Sequence, residues 1–272
     1  MKSKLTQAQL ADKYACYQKS VQDPDHEVEF FVQAFKETCK RTPVVLREDF
    51  CGTFAVCCSW VKSKRDRWAI GVDLDPEPIQ WGFENNCRDL KQSQLDRIRI
   101  LQQDVRKRDR HKADIVAAQN FSFWIFKTRN ELRQYFRSAL SHLSRPGIMV
   151  LDMKGGGACY EEGNVDERVV VKGKRGFTYY WTQESFNPIT SEASFNISFG
   201  FPDKSRLDRL FEYHWRFWTI PEVIEVLKEA GFRDAVVYWE QTDEAGDGTG
   251  KWEQRKVAAS QPTWLAYVIG IA

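Results

Sequence analysis

The stretch from Pro43 to about Met153 constrains this chain most, because its hydrophobic pattern switches repeatedly between short apolar runs and amphipathic segments. Residues 44–46, 68–72, 98–101, 114–118 and 148–151 read as strands, and residues 53–63, 76–90 and 130–143 as helices. Strands that alternate with helices are joined by right-handed crossovers and build a parallel sheet covered on both faces. Residues 235–239 and 263–271 add two further strands. A helix at 220–229 precedes them, opened by the capping box Thr219-Ile220-Pro221-Glu222 and closed by Gly231. The expectation is an α/β fold with a doubly wound, mostly parallel, seven-stranded sheet.

Two other regions follow different periods. Residues 5–40 read as two helices, with Asp25 as an N-cap after Pro24 and with Val28, Phe31, Val32, Phe35 and Cys39 along one face. Residues 168–171, 177–186, 193–199 and 210–217 are β-branched or aromatic runs between Gly-, Asn- and Pro-containing turns, the pattern of an antiparallel meander. The domain organisation expected is an N-terminal helical cap at 1–42, a main domain at 43–153 and 218–272, and an inserted antiparallel β-meander at 154–217. A polar, Gly-rich loop is expected at 241–252.

Composition narrows the class of partner. Forty basic residues against 38 acidic leave a formal charge of +2, with no strong nucleic-acid signature. The basic runs at 62–67 and 106–112 contain acids and no interleaved aromatics, and read as solvated loops. No window approaches a membrane span, and the N-terminus lacks a secretory apolar core. Seven cysteines without a C-x-x-C pair indicate neither a disulfide framework nor a metal centre, so a cytoplasmic protein with reduced thiols is expected. Aromatic residues make up 14%, with 10 Trp, and many of them lie between 177 and 218. Those rings can dock the meander, or roof a pocket for a small organic molecule.

In an open parallel sheet, ligands bind beyond the carboxyl ends of the strands. There the sequence places an acid three times over: Glu48 after the first strand, Asp73 after the second and Asp104 after the third. Gly52 opens the first helix, where a ligand can approach the backbone. Asp73 follows it by 21 residues, near the offset at which a carboxylate accepts ribose hydroxyls. A row of acids suits a cofactor with a sugar and a positive charge better than one with a pyrophosphate.

These residues carry a resemblance. Glu48-Asp49-Phe50-Cys51-Gly52-Thr53-Phe54 resembles the first motif of the class I S-adenosylmethionine-dependent methyltransferases, an acid followed by G-x-G-x-G, with Phe50 and Phe54 in place of the outer glycines. Residues 114–121 are similar to that family's fourth strand and its motif, and 218–232 to the helix before its last two strands. The resemblance covers about two-thirds of the chain and implies a Rossmann-like domain that binds S-adenosylmethionine. It gives Glu48 to the methionine amino group through water, Asp73 to the ribose, Asp104 and Val105 to the adenine, and Asn120 to the neighbourhood of the sulfonium, with Leu74 also among the cofactor-binding residues. The backbone of Cys51, Gly52 and Thr53 would approach the cofactor.

The function expected is in-line methyl transfer to a small organic molecule, with no metal. If the acceptor needs a base, the candidates are Asp152, His214, Tyr14 and Tyr17. A methyltransferase acting on RNA or protein is one alternative. A cofactor-binding homologue without catalysis is another, suggested by Phe50 and Phe54. A nicotinamide-dependent oxidoreductase is the third, although G-x-G-x-x-G is missing after the first strand.

Overall fold

The computed structural model describes residues 5–243, 246 and 248–272. In chain order, α1 (Gln7–Leu10), α2 (Lys13–Val21) and α3 (Pro24–Cys39) precede β1 (Val45–Asp49), α4 (Ala55–Ser63), β2 (Trp68–Asp73), α5 (Pro76–Asn85), α6 (Gln92–Leu95) and β3 (Ile98–Gln102). β4 (Ala113–Ala118), α7 (Arg129–His142) and β5 (Leu143–Gly155) lead into β6 (Val165–Val171), β7 (Phe177–Asn187), β8 (Glu192–Gly200) and β9 (Arg206–Arg216). The chain closes with α8 (Ile220–Ala230), β10 (Asp234–Thr242), β11 (Gly248–Arg255) and β12 (Trp264–Ile271). It divides into two compact units: Pro24–Gly156 with Trp218–Ala272, and the chain up to Asp23 with Gly157–Phe217.

The larger unit is built on a sheet in the order β11-β10-β12-β5-β4-β1-β2-β3. β1 to β5 pair in parallel, and β12 enters antiparallel between β5 and β10. Alternation along each strand sends side chains to opposite faces. Leu46, Ile115, Ala117, Ile148, Val150 and Ile269 join Phe30, Phe31 and Phe35 of α3 and Trp60 of α4 in one core. Helices α7 and α8 pack on the other face. Both faces of the central strands β1, β2, β4 and β5 are therefore largely dry, which is why these strands read as apolar runs.

In the smaller unit β6 to β9 form an antiparallel sheet in sequential order. Cys16 of α2, with Tyr17 and Val21, packs among Phe177, Tyr179, Ile197, Phe199, Phe211 and Tyr213. Much of the aromatic excess is thus the core of this unit. Trp181, Phe195 and Trp215 continue it as a stack with ring centroids 4.9 to 5.9 Å apart.

Three sequence expectations change. The region at 1–42 is not one cap: its three helices divide, α1 and α2 grouping with the meander and α3 with the large sheet. The last of these starts at Pro24 itself, whose ring presets the helical φ, so Asp25 falls inside the first turn and accepts from the Ser59 hydroxyl instead of capping. The loop expected at 241–252 contains most of an eighth strand: β11 pairs antiparallel with β10, and only Glu244, Ala245 and Asp247 of that stretch lie outside the described residues. Its sequence, Gly-Thr-Gly-Lys-Trp-Glu-Gln-Arg, has little β propensity of its own, and it is strand because β10 offers an unpaired edge. Among the described residues no helix is long and apolar enough to cross a membrane.

Candidate active site

The register of the sheet brings the expected site together. Asp49 lies beside Val72 on β2 and Ala118 on β4, Asp73 beside Gln102 on β3, and Ala118 beside Leu151 on β5. The loops that follow these residues share one edge. The first of them, 50–54, holds Phe50, Gly52 and Phe54 at φ of 59°, 49° and 47°. All three positions that carry glycine in the G-x-G-x-G pattern are left-handed, although two carry phenylalanine, for which that region costs about 1–2 kcal/mol per residue.

Packing offsets the strain. Phe54 is fully buried and meets Phe83 at 5.0 Å, and Phe50 packs against Tyr135 and Phe126. Gly82 on α5 makes room for this: a Cβ there would stand 2.4 Å from the Phe54 ring and 2.5 Å from the Thr53 carbonyl oxygen. Gly52 is the opposite case, since a Cβ on it would meet nothing within 4 Å. The loop therefore keeps a bare backbone facing open space between two packed rings, of which that of Phe54 is buried. Phe54→Gly relieves a strained φ but empties a core position, and a net loss of roughly 2–4 kcal/mol in urea unfolding is expected.

Each predicted side chain has a definite setting. The Asp73 carboxylate accepts from Gly52 N–H at 2.7 Å and from Asp75 N–H at 3.0 Å. The N-cap of α5 is Asp75, which accepts from Glu77 N–H, so capping does not account for Asp73. Leu74 beside it is exposed. Glu48 is buried and accepts from Cys57 N–H at 3.0 Å in the first turn of α4. Burial pushes its carboxyl up to about 7, against the lowering effect of Cys57 and with the help of Asp73 and Asp49. Cys51 and Thr53 are buried, and Cys51 N–H donates to the Val72 carbonyl at 3.0 Å.

Asp104 turns to Arg106, which grips it at 2.6 Å, and this bond holds its carboxyl below the usual range. Val105 is buried, its carbonyl accepting from Ser138. Asn120 and Phe121 are both left-handed at φ 56°, and Phe121 N–H donates to Asp152 Oδ1 at 2.9 Å. Burial pushes Asp152 up to about 7 despite the backbone donors of Phe121 and Asn120.

The other three candidate bases belong to the smaller unit. Tyr14 and Tyr17 pack on Phe211, at 6.0 and 5.0 Å, as part of its core. His214 is exposed and shares a hydrogen bond with Ser194 at 3.1 Å.

Sequence reasoning missed two amides. Gln103 and Gln119 follow β3 and β4, and each has a buried Nε2 without a hydrogen-bond partner among the described residues. A buried orphan donor costs about 1–3 kcal/mol, so buried amides without a partner are rare unless a ligand or water completes them. The signal was a polar residue ending the otherwise apolar run Ile115-Val116-Ala117-Ala118. An open glycine cradle, a hydrogen-bonded Asp73 and two unsatisfied amides on one edge form a donor and acceptor set that fits a nucleoside carrying an ammonium group.

Behind this edge, on the α7 face, lies a buried ionic cluster. Arg47 is fully buried and donates to Asp49 at 2.8 Å and to Asp109 at 2.7 Å, and the Tyr135 hydroxyl donates to Asp49 at 3.1 Å. Burial works to lower the Arg47 pKa, but the two carboxylates outweigh it and hold it above its ordinary value.

No protein-family model matches this chain, and no curated protein matches it. Solved structures do. It is similar to an S-adenosylmethionine-dependent methyltransferase from Clostridium acetobutylicum ATCC 824, with a TM-score of 0.67 and 18% identity over 95% of this chain and 97% of that one. It is also similar to CalS10, an amino pentose methyltransferase from Micromonospora echinaspora involved in calicheamicin biosynthesis and solved with S-adenosylmethionine, at 0.66 and 15% over 98% and 99% of the two chains. A third is the sugar N-methyltransferase KedS8 from Streptoalloteichus sp ATCC 53650, at 0.65 and 16% over 100% of this chain and 97% of that one. What the chain shares with all three is the fold.

Proposed function

From the class I methyltransferase fold and the donor set at its strand ends, we propose that this chain is an S-adenosylmethionine-dependent methyltransferase acting on a small organic molecule. The observation that carries the reading is the loop at 50–54, which keeps the left-handed backbone at all three glycine positions and leaves Gly52 facing open space. When bound, S-adenosylmethionine supplies a methyl group already activated by its sulfonium charge. The protein's task is then alignment, which can contribute on the order of 7–11 kcal/mol.

In this reading Asp73 holds the ribose hydroxyls and Glu48 faces the methionine ammonium. Asp104 and Val105 flank the adenine, Asn120 lies towards the sulfonium, and the side chains of Gln103 and Gln119 supply donors. Asp152, pushed up to about 7, is the base that takes a proton from the acceptor near neutral pH. The neighbours include an amino pentose and a sugar N-methyltransferase, which favours a sugar amine as the acceptor. Seven thiols without a disulfide fit a reducing cytoplasm. The test is formation of S-adenosylhomocysteine from S-adenosylmethionine with a panel of amino sugars and small amines. Turnover on one class supports the reading, and bound cofactor without turnover on any member favours a non-catalytic homologue.

Glu48 makes the proposal sensitive to pH. Its folded pKa of about 7 lies above its ordinary 4.5, so the fold favours the protonated form. The stability this contributes is full below the ordinary value and is lost as pH rises through 7. Glu48→Gln is therefore expected to raise Tm relative to the parent at pH 8 and not at pH 5. Cofactor binding has the opposite sign, because an ammonium pairs with the ionised carboxylate. Affinity for S-adenosylhomocysteine is expected to rise about tenfold from pH 6 to pH 8 in the parent and to stay flat in Glu48→Gln. A parent profile as flat as the variant's would remove Glu48 from the site.

A further inference from the structure

We propose that the cavity at the amino ends of β4 and β5 is a binding site for a small polyphosphate-bearing ligand. This end of the large sheet is opposite the candidate active site: from Ala113, beside Leu143, to Ala118, beside Leu151, β4 runs five residues, on the order of 17 Å. The cavity measures about 550 Å³, in the size range of small-molecule sites. Arg108 and Lys112 line it from the loop between β3 and β4, Arg137 from α7 and Arg145 from β5, over a small apolar floor of Leu140, Leu143 and Ala230.

Four cations converge and no acid lines the cavity among the described residues. The acids nearby are already engaged. Asp114 is bound by Arg41 at 2.6 Å, Asp109 by Arg47 at 2.7 Å, and Glu229 by Arg129 at 2.6 Å. The basic run at 106–112, which reads in the sequence as a solvated loop, thus delivers two of its side chains to a concave surface.

The four cations do not act alike. Lys112 donates to the Ser141 carbonyl at the end of α7, which fixes one wall. The hydroxyls of Ser141 and Ser144 donate inward, to the Ser138 and Ala113 carbonyls, so they offer no proton to an anion. Recognition falls to the three guanidinium groups, whose planar forks match phosphate oxygens in pairs. Three or four converging positive charges match the charge of a di- or triphosphate. Cations gathered around one open depression favour a small ligand over an extended RNA backbone, which needs a continuous basic track.

Titration calorimetry of the full chain with inorganic tripolyphosphate tests this without reference to the cofactor. One site per chain is expected, with a Kd of about 10–100 μM at 50 mM salt that weakens several-fold at 200 mM. Arg108→Ala and Arg145→Ala should each weaken it roughly tenfold. Both side chains are exposed and outside the core, so far-UV circular dichroism and Tm should match the parent. A nucleoside triphosphate that binds tighter than tripolyphosphate assigns the apolar floor to an organic group, and equal affinities assign the phosphates alone. Absence of saturation by about 1 mM, affinity unchanged in both variants, or tighter binding of a single-stranded RNA that tripolyphosphate does not displace would overturn the proposal.

Discussion

Asp73→Ala is expected to weaken S-adenosylhomocysteine binding at least a hundredfold while leaving the protein folded. A carboxylate that accepts two ribose hydroxyls makes two hydrogen bonds to a charged group, each of about 1.5–3 kcal/mol, and alanine removes both. The same substitution frees Gly52 N–H and Asp75 N–H, at 2.7 and 3.0 Å from the carboxylate. Both lie at the sheet edge, where water can replace Asp73, so the stability loss should stay near 1 kcal/mol. Asp73→Asn should fall between the two, because its amide oxygen keeps one acceptor. Calorimetric titration beside urea unfolding separates the effects. A variant that binds as tightly as the parent would show that Asp73 only braces the Gly52 loop.

The largest effect on stability is expected at Arg47, outside the cofactor edge. Arg47→Leu leaves the wholly buried Asp49 with the Tyr135 hydroxyl alone, and Asp109 without its guanidinium. Breaking a buried ion pair from one side typically costs 3–5 kcal/mol, and a loss of about 4 kcal/mol in urea unfolding is expected here. The cost lies in the stranded charge rather than in the lost pair. Arg47→Leu combined with Asp49→Leu should therefore recover a large part of it. Burial already holds the Asp49 carboxyl above its ordinary value, and removing Arg47 raises it further. The Arg47→Leu deficit should accordingly shrink as pH falls and Asp49 takes up its proton. A double variant no more stable than the single one would contradict this account.

Legibility in the sequence followed locality. Seven of the eight strands of the large sheet and its long helices were readable because a buried strand and an amphipathic helix each impose a period on adjacent residues. The capping box at Thr219 and the left-handed Gly231 were readable for the same reason. β11 was not, since its pairing with β10 is tertiary and its own residues favour a loop. The Arg47 cluster was hidden in another way. Arg47-Glu48-Asp49 suggests charges on a strand end, but alternation sends Arg47 and Asp49 to one face and Glu48 to the other, and the partner Asp109 lies 62 residues away. Of the candidate site, Glu48, Gly52, Asp73 and Asp104 lie at or just beyond the carboxyl ends of β1, β2 and β3, a position that the strand pattern makes readable. The backbone of Phe50 and Phe54 was unreadable, because only the tertiary packing of their rings explains how a phenylalanine keeps a glycine's conformation.

The central claim is that the carboxyl edge of the large sheet binds S-adenosylmethionine. Calorimetric titration of the purified protein with S-adenosylhomocysteine at pH 8 tests it most directly. One site per chain with a Kd of about 1–100 μM, unaffected by a nicotinamide dinucleotide, is the predicted result. No saturable heat up to about 1 mM, or displacement by the dinucleotide, would contradict it.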